Sequence, residues 1–249
     1  IILAAGAGTR MKSRVPKVLQ TVGGQPMIIH VLDTALQLQP AGIHVVFNPK
    51  APEVRASCSG YDITWAAQVH QLGTGHAVQQ AMPGVPGDAD VLVLYGDIPL
   101  LESGVLRNLV ESPSGGIKVL TMDISDPSGY GRIVRDENGN VTGIVEERDA
   151  TEAQRAITEV NSGIIMATCS DMTSCLENLA SDNSQSEYYL TDVISIAYDK
   201  GIPTSGILAP VPTDLEGAND RIQLAELERR GGLDALIDGG NEEEDRGNA

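Results

Sequence analysis

The sequence predicts an α/β protein with a doubly wound, mostly parallel, Rossmann-like sheet and a smaller mixed lobe in its second half. Short apolar runs typical of buried strands alternate with segments of helical periodicity over the first half of the chain. This alternation is typical of parallel strands joined by right-handed helical crossovers. After residue 126 the pattern changes to consecutive strands, which predicts the mixed lobe. The chain has 249 residues, of which 41% are hydrophobic, enough for one large domain with a buried core.

The elements of the first half follow from local patterns. Residues 1–5 form an apolar run that predicts a buried strand, and residues 26–38 place Met27, Val31 and Leu32 at helical spacing. Strong apolar character at 91–97 predicts a central strand. Further strands are predicted at 43–47, 63–68 and 116–124, and further helices at 73–82 and 103–112.

The second half is predicted to begin with a hairpin. Two short strands within 131–147 flank an Asn138-Gly139 pair, which is a strong signal for a tight turn between antiparallel strands. A further strand is expected at 156–167. Helices are expected near 171–180 and 187–199, and another runs through Leu224 to Arg230.

Composition excludes several classes of partner. Acidic residues outnumber Lys and Arg by 34 to 17, giving a formal net charge of −17, which argues against nucleic acid or an anionic membrane as partner. Salt screens charges beyond roughly 8 Å, so the net negative charge does not argue against binding of a nucleotide at a locally basic site. The three cysteines are odd in number and lack C-x-x-C spacing, which predicts reduced thiols rather than a disulfide or zinc site. No apolar run reaches the roughly eighteen residues of a transmembrane helix, so we expect a cytoplasmic protein.

A cationic, glycine-containing loop follows the first strand. Gly6 and Gly8 are followed by four basic residues, and no acidic residue precedes Asp33. Small residues let backbone N–H groups approach phosphate oxygens, and basic side chains neutralise the phosphate charge. The loop therefore predicts a polyphosphate-binding site. The basic residues are Arg10, Lys12, Arg14 and Lys17.

Other interpretations of this loop fit less well. The dinucleotide fingerprint requires a third glycine that is missing here, and the G-x-x-x-x-G-K-[ST] pattern occurs nowhere in the chain. A flexible turn with solvated charges is the remaining alternative. Pro16 argues against it, because proline fixes its own φ and disfavours helix at Val15, which places Lys17 after a defined extended segment.

Asp97 is a candidate metal ligand. It follows the strand at 91–97 at the carboxyl edge of the predicted sheet, where open α/β sheets place ligand groups. A carboxylate oxygen suits Mg²⁺, which takes one or two protein oxygens together with phosphates and water. A turn-capping role is the alternative for an Asp after a strand. Further along the chain, either Asn219 or Asp220 could cap the helix that runs through Leu224 to Arg230.

A third constellation, QLGTGHA at 71–77, precedes a predicted helix. Gly73 and Gly75 allow close backbone approach, which fits a flat base held by main-chain hydrogen bonds. His76 resembles a catalytic base in type, but a histidine at the start of a helix is more commonly structural, and we assign it no chemistry.

The motif LAAGAGTRM…PKVL, together with YGDIPL, QLGTGHA, GYGRI, EVNSGI and SEYYLTD, resembles the sugar-1-phosphate nucleotidylyltransferases. The KVL form is similar to the N-acetylglucosamine-1-phosphate uridylyltransferases, and the resemblance covers residues 1–230. It implies transfer of UMP from UTP to N-acetylglucosamine 1-phosphate, with UDP-N-acetylglucosamine and pyrophosphate as products. The cofactor implied is Mg²⁺, and the reaction is an in-line attack on the α-phosphate that needs no general base.

The resemblance also implies roles for individual residues. The catalytic residues are Arg10 and Lys17, and the metal ligands are Asp97 and Asn219. The residue before Gln71, often Glu in the family, is His70 here, which leaves the detail of the base pocket open. The nucleotide contacts are Leu3, Ala4, Ala5, Gly6, Gly8, Lys17, Gln68, Gly73, Thr74, Tyr95, Gly96 and Asp97. The contacts to the sugar phosphate are Gly131, Glu146, Asn161, Tyr189, Thr191 and Asn219.

The expected organisation is a nucleotidylyltransferase domain over 1–230, with a nucleotide-binding lobe at 1–126 and a sugar-binding lobe at 127–217. A closing helix with the second metal ligand follows at 218–230, and 231–249 is expected to be an acidic, solvated or disordered tail. The family's left-handed β-helix acetyltransferase half is not expected in this chain, and neither is its activity. The family's trimer is built largely by that half, so the oligomeric state stays open and a monomer is compatible.

Two alternatives to this function remain. The same chemistry could use dTTP or GTP with another sugar phosphate, or the chain could be a non-catalytic nucleotide-sugar-binding module. The joint presence of Arg10, Lys17, Asp97 and Asn219 argues against the second alternative, because a binding module needs no metal site.

Overall fold

A computed structural model describes residues 1–112 and 115–231 of the chain. Within these residues, nine strands form one sheet and two form a small hairpin. The strands are β1 (Ile2–Ala4), β2 (Thr21–Val22), β3 (Gln25–Pro26), β4 (His44–Phe47), β5 (Thr64–Ala67), β6 (Asp90–Tyr95), β7 (Ile117–Asp123), β8 (Arg132–Arg135), β9 (Val141–Val145), β10 (Glu159–Thr168) and β11 (Thr204–Leu208). The helices are α1 (Met27–Leu36), α2 (Pro52–Ser57), α3 (Thr74–Ala81), α4 (Ser103–Glu111), α5 (Glu152–Arg155), α6 (Cys169–Leu176), α7 (Asp192–Asp199) and α8, the helical residues 221–231.

The sheet has the order β11-β7-β10-β6-β1-β4-β5. Strands β1, β4, β5 and β6 pair in parallel, and β1 is central, since Leu3 pairs with both Val46 and Tyr95. Only β10 in this series runs antiparallel to its neighbours, between β6 and β7. The prediction of a mostly parallel α/β sheet is confirmed.

Helices cover both faces of the sheet, as expected for a doubly wound fold. Apolar residues of α1 and α4, including Leu32 and Leu106, pack on one face together with Ile2 and Leu94. Helices α3, α6 and α7 pack on the other face. Because both faces are covered, the inner strands are buried and only their ends are free to bind ligands.

The predicted hairpin is present and joins the same sheet. Strands β8 and β9 pair antiparallel around the Asn138-Gly139 turn, and β8 also pairs with β10 through Arg132 and Val160. Arg132 is 2% exposed and donates to Glu147 Oε2 at 2.6 Å, so its buried charge is paired.

The structure corrects one predicted helix. A helix was expected over 187–199, but α7 begins at Asp192. The residues before it do not continue the helix, because the backbone of Tyr188 bonds to another chain segment: Tyr188 N donates to Leu72 O, and Gly75 N donates to Tyr188 O, both at 2.8 Å.

The sequence patterns did not predict four elements or pairs: α2, α5, β11 and the β2-β3 hairpin. These segments are short, and β11 has a half-exposed pattern without clear alternation. Its position at the sheet edge beside β7 explains that pattern.

None of the described helices is long and apolar enough to cross a membrane. Cys58, Cys169 and Cys175 are buried free thiols. Most of the predicted acidic tail, residues 232–249, lies outside the described residues.

Candidate active site

The glycine loop leaves β1 at the carboxyl edge of the sheet. Gly8 has φ +57°, and a Cβ there would lie 2.8 Å from Lys17 Cβ, so only glycine fits. A single 3₁₀ turn, Thr9–Met11, follows and ends at Lys12, which has φ +47°. Met11 is buried at 1% exposure, whereas most residues around it are exposed. The loop is therefore anchored at Met11 and otherwise projects over the site.

Three residues predicted to act on phosphate and metal meet at one point. Lys17 Nζ forms an ion pair with Asp97 Oδ2 and donates to Asn219 Oδ1 at 2.9 Å. The side chains of Lys17 and Asp97 are only 16% and 14% exposed, so water screens this pair poorly. Ala218 N donates to Asp97 O at 3.2 Å, which holds the segment before α8 against the end of β6.

The oxygens gathered by Lys17 suit a hard cation. Asp97 supplies a carboxylate oxygen and Asn219 an amide oxygen, and both approach the same ammonium nitrogen. One or two such oxygens, completed by phosphates and water, are the usual protein contribution to a Mg²⁺ site. Within the described residues, no cluster of three or more His, Cys, Asp and Glu side chains offers another metal site.

A cavity of about 340 Å³ opens beside this cluster. Most of the predicted nucleotide contacts line it: Leu3, Ala4, Ala5, Gly6, Lys17, Gln68, Gly73, Thr74, Tyr95 and Asp97. Five residues that were not predicted as contacts also line it: Ala7, Val18, Gln71, Ala77 and Glu187. Gln71 and Glu187 fall inside two of the quoted motifs, so their place beside motif residues was the available signal.

Gln68 is fixed inside the cavity. It is 4% exposed, and its Nε2 donates to Gly73 O at 3.0 Å and lies 3.1 Å from His76 Nδ1. Burial lowers the pKa of His76, with the charge of His70 as a second cause. A neutral His76 thus helps to hold Gln68, one of the predicted nucleotide contacts, in place.

The turn before α3 lies directly on the segment before α7. Gly73 has φ +110°, and a Cβ there would lie 2.5 Å from Tyr188 O. Thr74 Oγ1 accepts from Leu190 N at 3.0 Å. The predicted base-reading turn and the predicted sugar-binding segment are therefore one packed unit.

Two of the predicted sugar contacts, Gly131 and Thr191, lie against a third, Glu146. Its Oε1 accepts from Thr191 Oγ1 at 3.0 Å, and a Cβ on Gly131 would lie 3.4 Å from the same oxygen. Asn161 N donates to Gly131 O at 2.9 Å. Tyr189 is 7% exposed, and its hydroxyl accepts from Gln185.

Burial governs the charges on the sugar side. It raises the pKa of Glu146, opposed by the hydrogen bond from Thr191 and assisted by the charge of Asp149. Burial, together with the charges of Glu146 and Asp149, raises the pKa of Asp192 to about 6. Burial also raises the pKa of Tyr95, with the Glu146 charge second. Tyr95, which lines the cavity and feels the charge of Glu146, is thus a neutral phenol.

Of the residues predicted to contact or act on the nucleotide, three lie outside the cavity lining, as do all six predicted sugar-phosphate contacts. Arg10 is exposed on the 3₁₀ turn, and Gly8 serves the close approach to Lys17. Gly96 N donates to Leu3 O at 3.0 Å. Their ligand roles stay predictions.

Comparison with known proteins identifies the family. Residues 1–137, more than half of the chain, match the family described as the MobA-like NTP transferase domain. The chain belongs to this family.

Individual relatives match nearly the whole chain. The chain is 52% identical over 230 residues to the bifunctional protein GlmU of Xanthomonas campestris pv. campestris, and 51% identical over 230 residues to that of Stenotrophomonas maltophilia. The GlmU protein of Alkalilimnicola ehrlichii is 48% identical over 229 residues. In each case the match covers 92% of this chain and 50% of the relative, so the chain spans about half the length of these relatives.

A solved structure shares the fold of this MobA-like NTP transferase domain. A putative glucose-1-phosphate thymidylyltransferase from Bacillus anthracis superposes with a TM-score of 0.72 at 20% identity, covering 93% of this chain and 94% of that one.

Proposed function

We propose that the chain transfers UMP from UTP to N-acetylglucosamine 1-phosphate, releasing pyrophosphate. The observation that carries the proposal is the meeting of Lys17, Asp97 and Asn219 at a cavity shared by the turn at Gly73 and the segment before α7. Such an arrangement brings phosphate-neutralising charge, hard oxygen ligands, and pockets for a base and a sugar together. The choice of uridine and N-acetylglucosamine rests on the motif resemblance, and the match to GlmU proteins supports it.

The reaction needs positioning and charge neutralisation more than proton transfer. The attacking phosphate oxygen is already ionised near neutral pH, so no general base is required. Lys17 is placed to stabilise negative charge that develops during in-line displacement, which is where a preorganised cation is most effective. The backbone N–H groups of the glycine loop hold the triphosphate, and Arg10 on the same loop neutralises the leaving pyrophosphate.

Asp97 and Asn219 would hold Mg²⁺. When bound, this ion supplies charge neutralisation to the phosphates of both substrates. Lys17 already touches both oxygens, so its ammonium must move towards the phosphates when both ligands turn to a metal.

The sugar phosphate would lie on the far side of Tyr95. Glu146 and Thr191 offer an acceptor and a donor to sugar hydroxyls, and the backbone near Gly131 and Asn161 offers a close approach for the acetamido group. We accordingly propose the division of 1–230 into a nucleotide part, 1–126, a sugar part, 127–217, and a closing segment, 218–230.

The decisive experiment is pyrophosphate release from UTP and N-acetylglucosamine 1-phosphate, with and without Mg²⁺. Parallel reactions with dTTP and GTP separate uridylyl transfer from transfer of another nucleotide. Release that requires UTP, the sugar phosphate and Mg²⁺ together supports the proposal. Binding of UDP-N-acetylglucosamine without turnover would identify a non-catalytic module instead.

A further inference from the structure

The glycine loop that leaves β1 and extends to Lys17, here called the phosphate loop, needs support from outside itself to keep its conformation. Lys12 is a non-glycine residue with φ +47°, a left-handed conformation that is unfavourable for side chains with a Cβ. The 3₁₀ turn before it has two internal backbone bonds, Met11 N to Gly8 O at 3.0 Å and Lys12 N to Thr9 O at 3.3 Å. The carbonyls at the end of such a turn lack partners within it. Something else must hold them.

Arg221 supplies this support from the start of α8. Its Nε donates to Met11 O at 3.1 Å and its Nη2 donates to Lys12 O at 3.2 Å. The planar guanidinium binds two consecutive carbonyls at once, a geometry that a lysine ammonium cannot reproduce. These carbonyls belong to the two residues that directly follow Arg10. The bonds therefore hold the backbone next to Arg10, from which its side chain projects.

Arg221 is itself held in place by its neighbours. Asp220 Oδ1 accepts from Ile222 N and Gln223 N, both at 2.9 Å, which caps the start of α8. Asn219 N donates to Gln223 Oε1 at 2.7 Å. The segment 219–223 is therefore a preorganised unit rather than a free linker.

This unit touches the loop at both ends. Asn219 bonds to Lys17, and Arg221 bonds to the carbonyls of Met11 and Lys12. The stretch between the two contacts carries three of the loop's four basic residues, Lys12, Arg14 and Lys17, and Arg10 directly precedes it.

We propose that Arg221 is a positioning residue that latches the phosphate loop in its nucleotide-binding conformation. The structural part of the proposal concerns the loop alone, whereas the predicted effect on UTP rests on the proposed function. Without the latch, the turn at Lys12 relaxes from its left-handed conformation, and Arg10 loses its fixed direction. The nucleotide side of the reaction should suffer, while the sugar side, built on Glu146 and Thr191, should not.

Limited trypsin digestion of the full chain tests the latch independently of activity. Cleavage after Arg10, Lys12 or Arg14 removes a short amino-terminal peptide, and mass spectrometry measures the remaining fragment. In Arg221→Ala we expect this cleavage to be about tenfold faster than in the wild type, the change expected from loss of roughly 1.4 kcal/mol of hydrogen bonding. Arg229→Ala is the matched control, since Arg229 lies on the same helix and pairs only with exposed Glu226 among the described residues.

Kinetics test the consequence for catalysis. Arg221→Ala should raise KM for UTP about tenfold and leave KM for N-acetylglucosamine 1-phosphate within about twofold, while Arg221→Lys retains one bond and falls between. Should Arg221→Ala fail to fold by circular dichroism, Arg221→Gln replaces it. Equal loop cleavage in Arg221→Ala, Arg229→Ala and the wild type would overturn the latch. If the wild type shows no transferase activity but Arg221→Ala is still cleaved faster than the wild type, the latch is supported and the proposed function is rejected.

Discussion

At the scale of single residues, Lys17 has two competing roles, one in the free protein and one expected during the reaction. It neutralises Asp97 and bonds to Asn219, and the same ammonium is the charge expected to act on phosphate. A carboxylate only 14% exposed would be costly to leave unpaired. In the free protein, Lys17 thus serves as the counter-ion of Asp97. If substrate draws Lys17 towards its phosphates, another cation must neutralise Asp97.

Replacement of Lys17 tests its catalytic role. Lys17→Ala should lower kcat at least ~10²-fold, because one preorganised charge contact to the transition state is lost. Steady-state pyrophosphate release measures the change, with Arg229→Ala as the unaffected control. Near-wild-type turnover in Lys17→Ala would remove Lys17 from the mechanism.

The carboxyl group of Asp192 makes stability depend on pH. Burial and two neighbouring carboxylates raise its pKa to about 6 in the folded state, above the value near 4 of an unfolded chain. For an acid with a raised folded pKa, ionisation opposes folding, so this residue's contribution falls as pH rises from about 4 to 6.

Asp192→Asn should therefore raise Tm at pH 7 relative to the wild type, and the gain should disappear near pH 4. Thermal unfolding across this range measures it, with Asp199→Asn, at the exposed end of α7, as the control. A difference in Tm between Asp192→Asn and wild type that does not vary with pH would contradict the assigned pKa.

At the scale of elements, the segment 187–191 determines how the two sides of the site fit together. It lies beside the turn at 72–75, bonded through Tyr188 and Leu190, and ends in the turn that leads into α7. A helix over these residues, as the sequence pattern predicted, would have withdrawn those bonds.

Glycine at position 73 makes this contact possible. Gly73→Ala places a Cβ 2.5 Å from Tyr188 O at a φ of +110°, whereas Gly139→Ala meets nothing within 4 Å at a φ of +83°. Both variants carry a backbone cost of about 1 kcal/mol or more, and that cost is larger at Gly73, because its φ of 110° and ψ of 173° lie in a region essentially restricted to glycine. Only Gly73→Ala adds overpacking of roughly 1–3 kcal/mol. Urea unfolding should show that excess; equal destabilisation would mean that the two segments separate at little cost.

The sequence predicted the long elements because their periodicity is strong. The buried strand β6, helix α1 and the hairpin around Asn138-Gly139 all have local signals that require no knowledge of the rest of the chain. The glycine loop and Asp97 also had local signals, but the meeting of Lys17 with Asn219 was predictable only through motif resemblance, because these residues are 202 positions apart and no local pattern encodes that contact. The latch by Arg221 was missed for the same reason.

At the scale of the whole molecule, one sheet runs through both halves of the chain. Strand β10 from the second half lies between β6 and β7 of the first half. The two parts proposed to bind nucleotide and sugar thus share a hydrophobic core rather than meeting across a linker.

Such a shared sheet should unfold cooperatively. Trp65, the single tryptophan, lies on edge strand β5 and contacts Phe47 edge-to-face at 5.4 Å. We expect its fluorescence and far-UV circular dichroism to follow the same urea transition, with equal midpoints. Two separated transitions would show that the sheet breaks between β6 and β10.

The bonds made by Arg221 also bear on synthesis by the ribosome. They join residues 209 and 210 positions apart, among the longest-range contacts of the molecule. Strands and helices can pair as they emerge, but contacts of this range form only when nearly the whole described chain is available. A nascent chain that ends before residue 219 lacks these bonds, whichever of its strands have already paired. We therefore expect the phosphate loop to be the last part of the described chain to reach its final conformation.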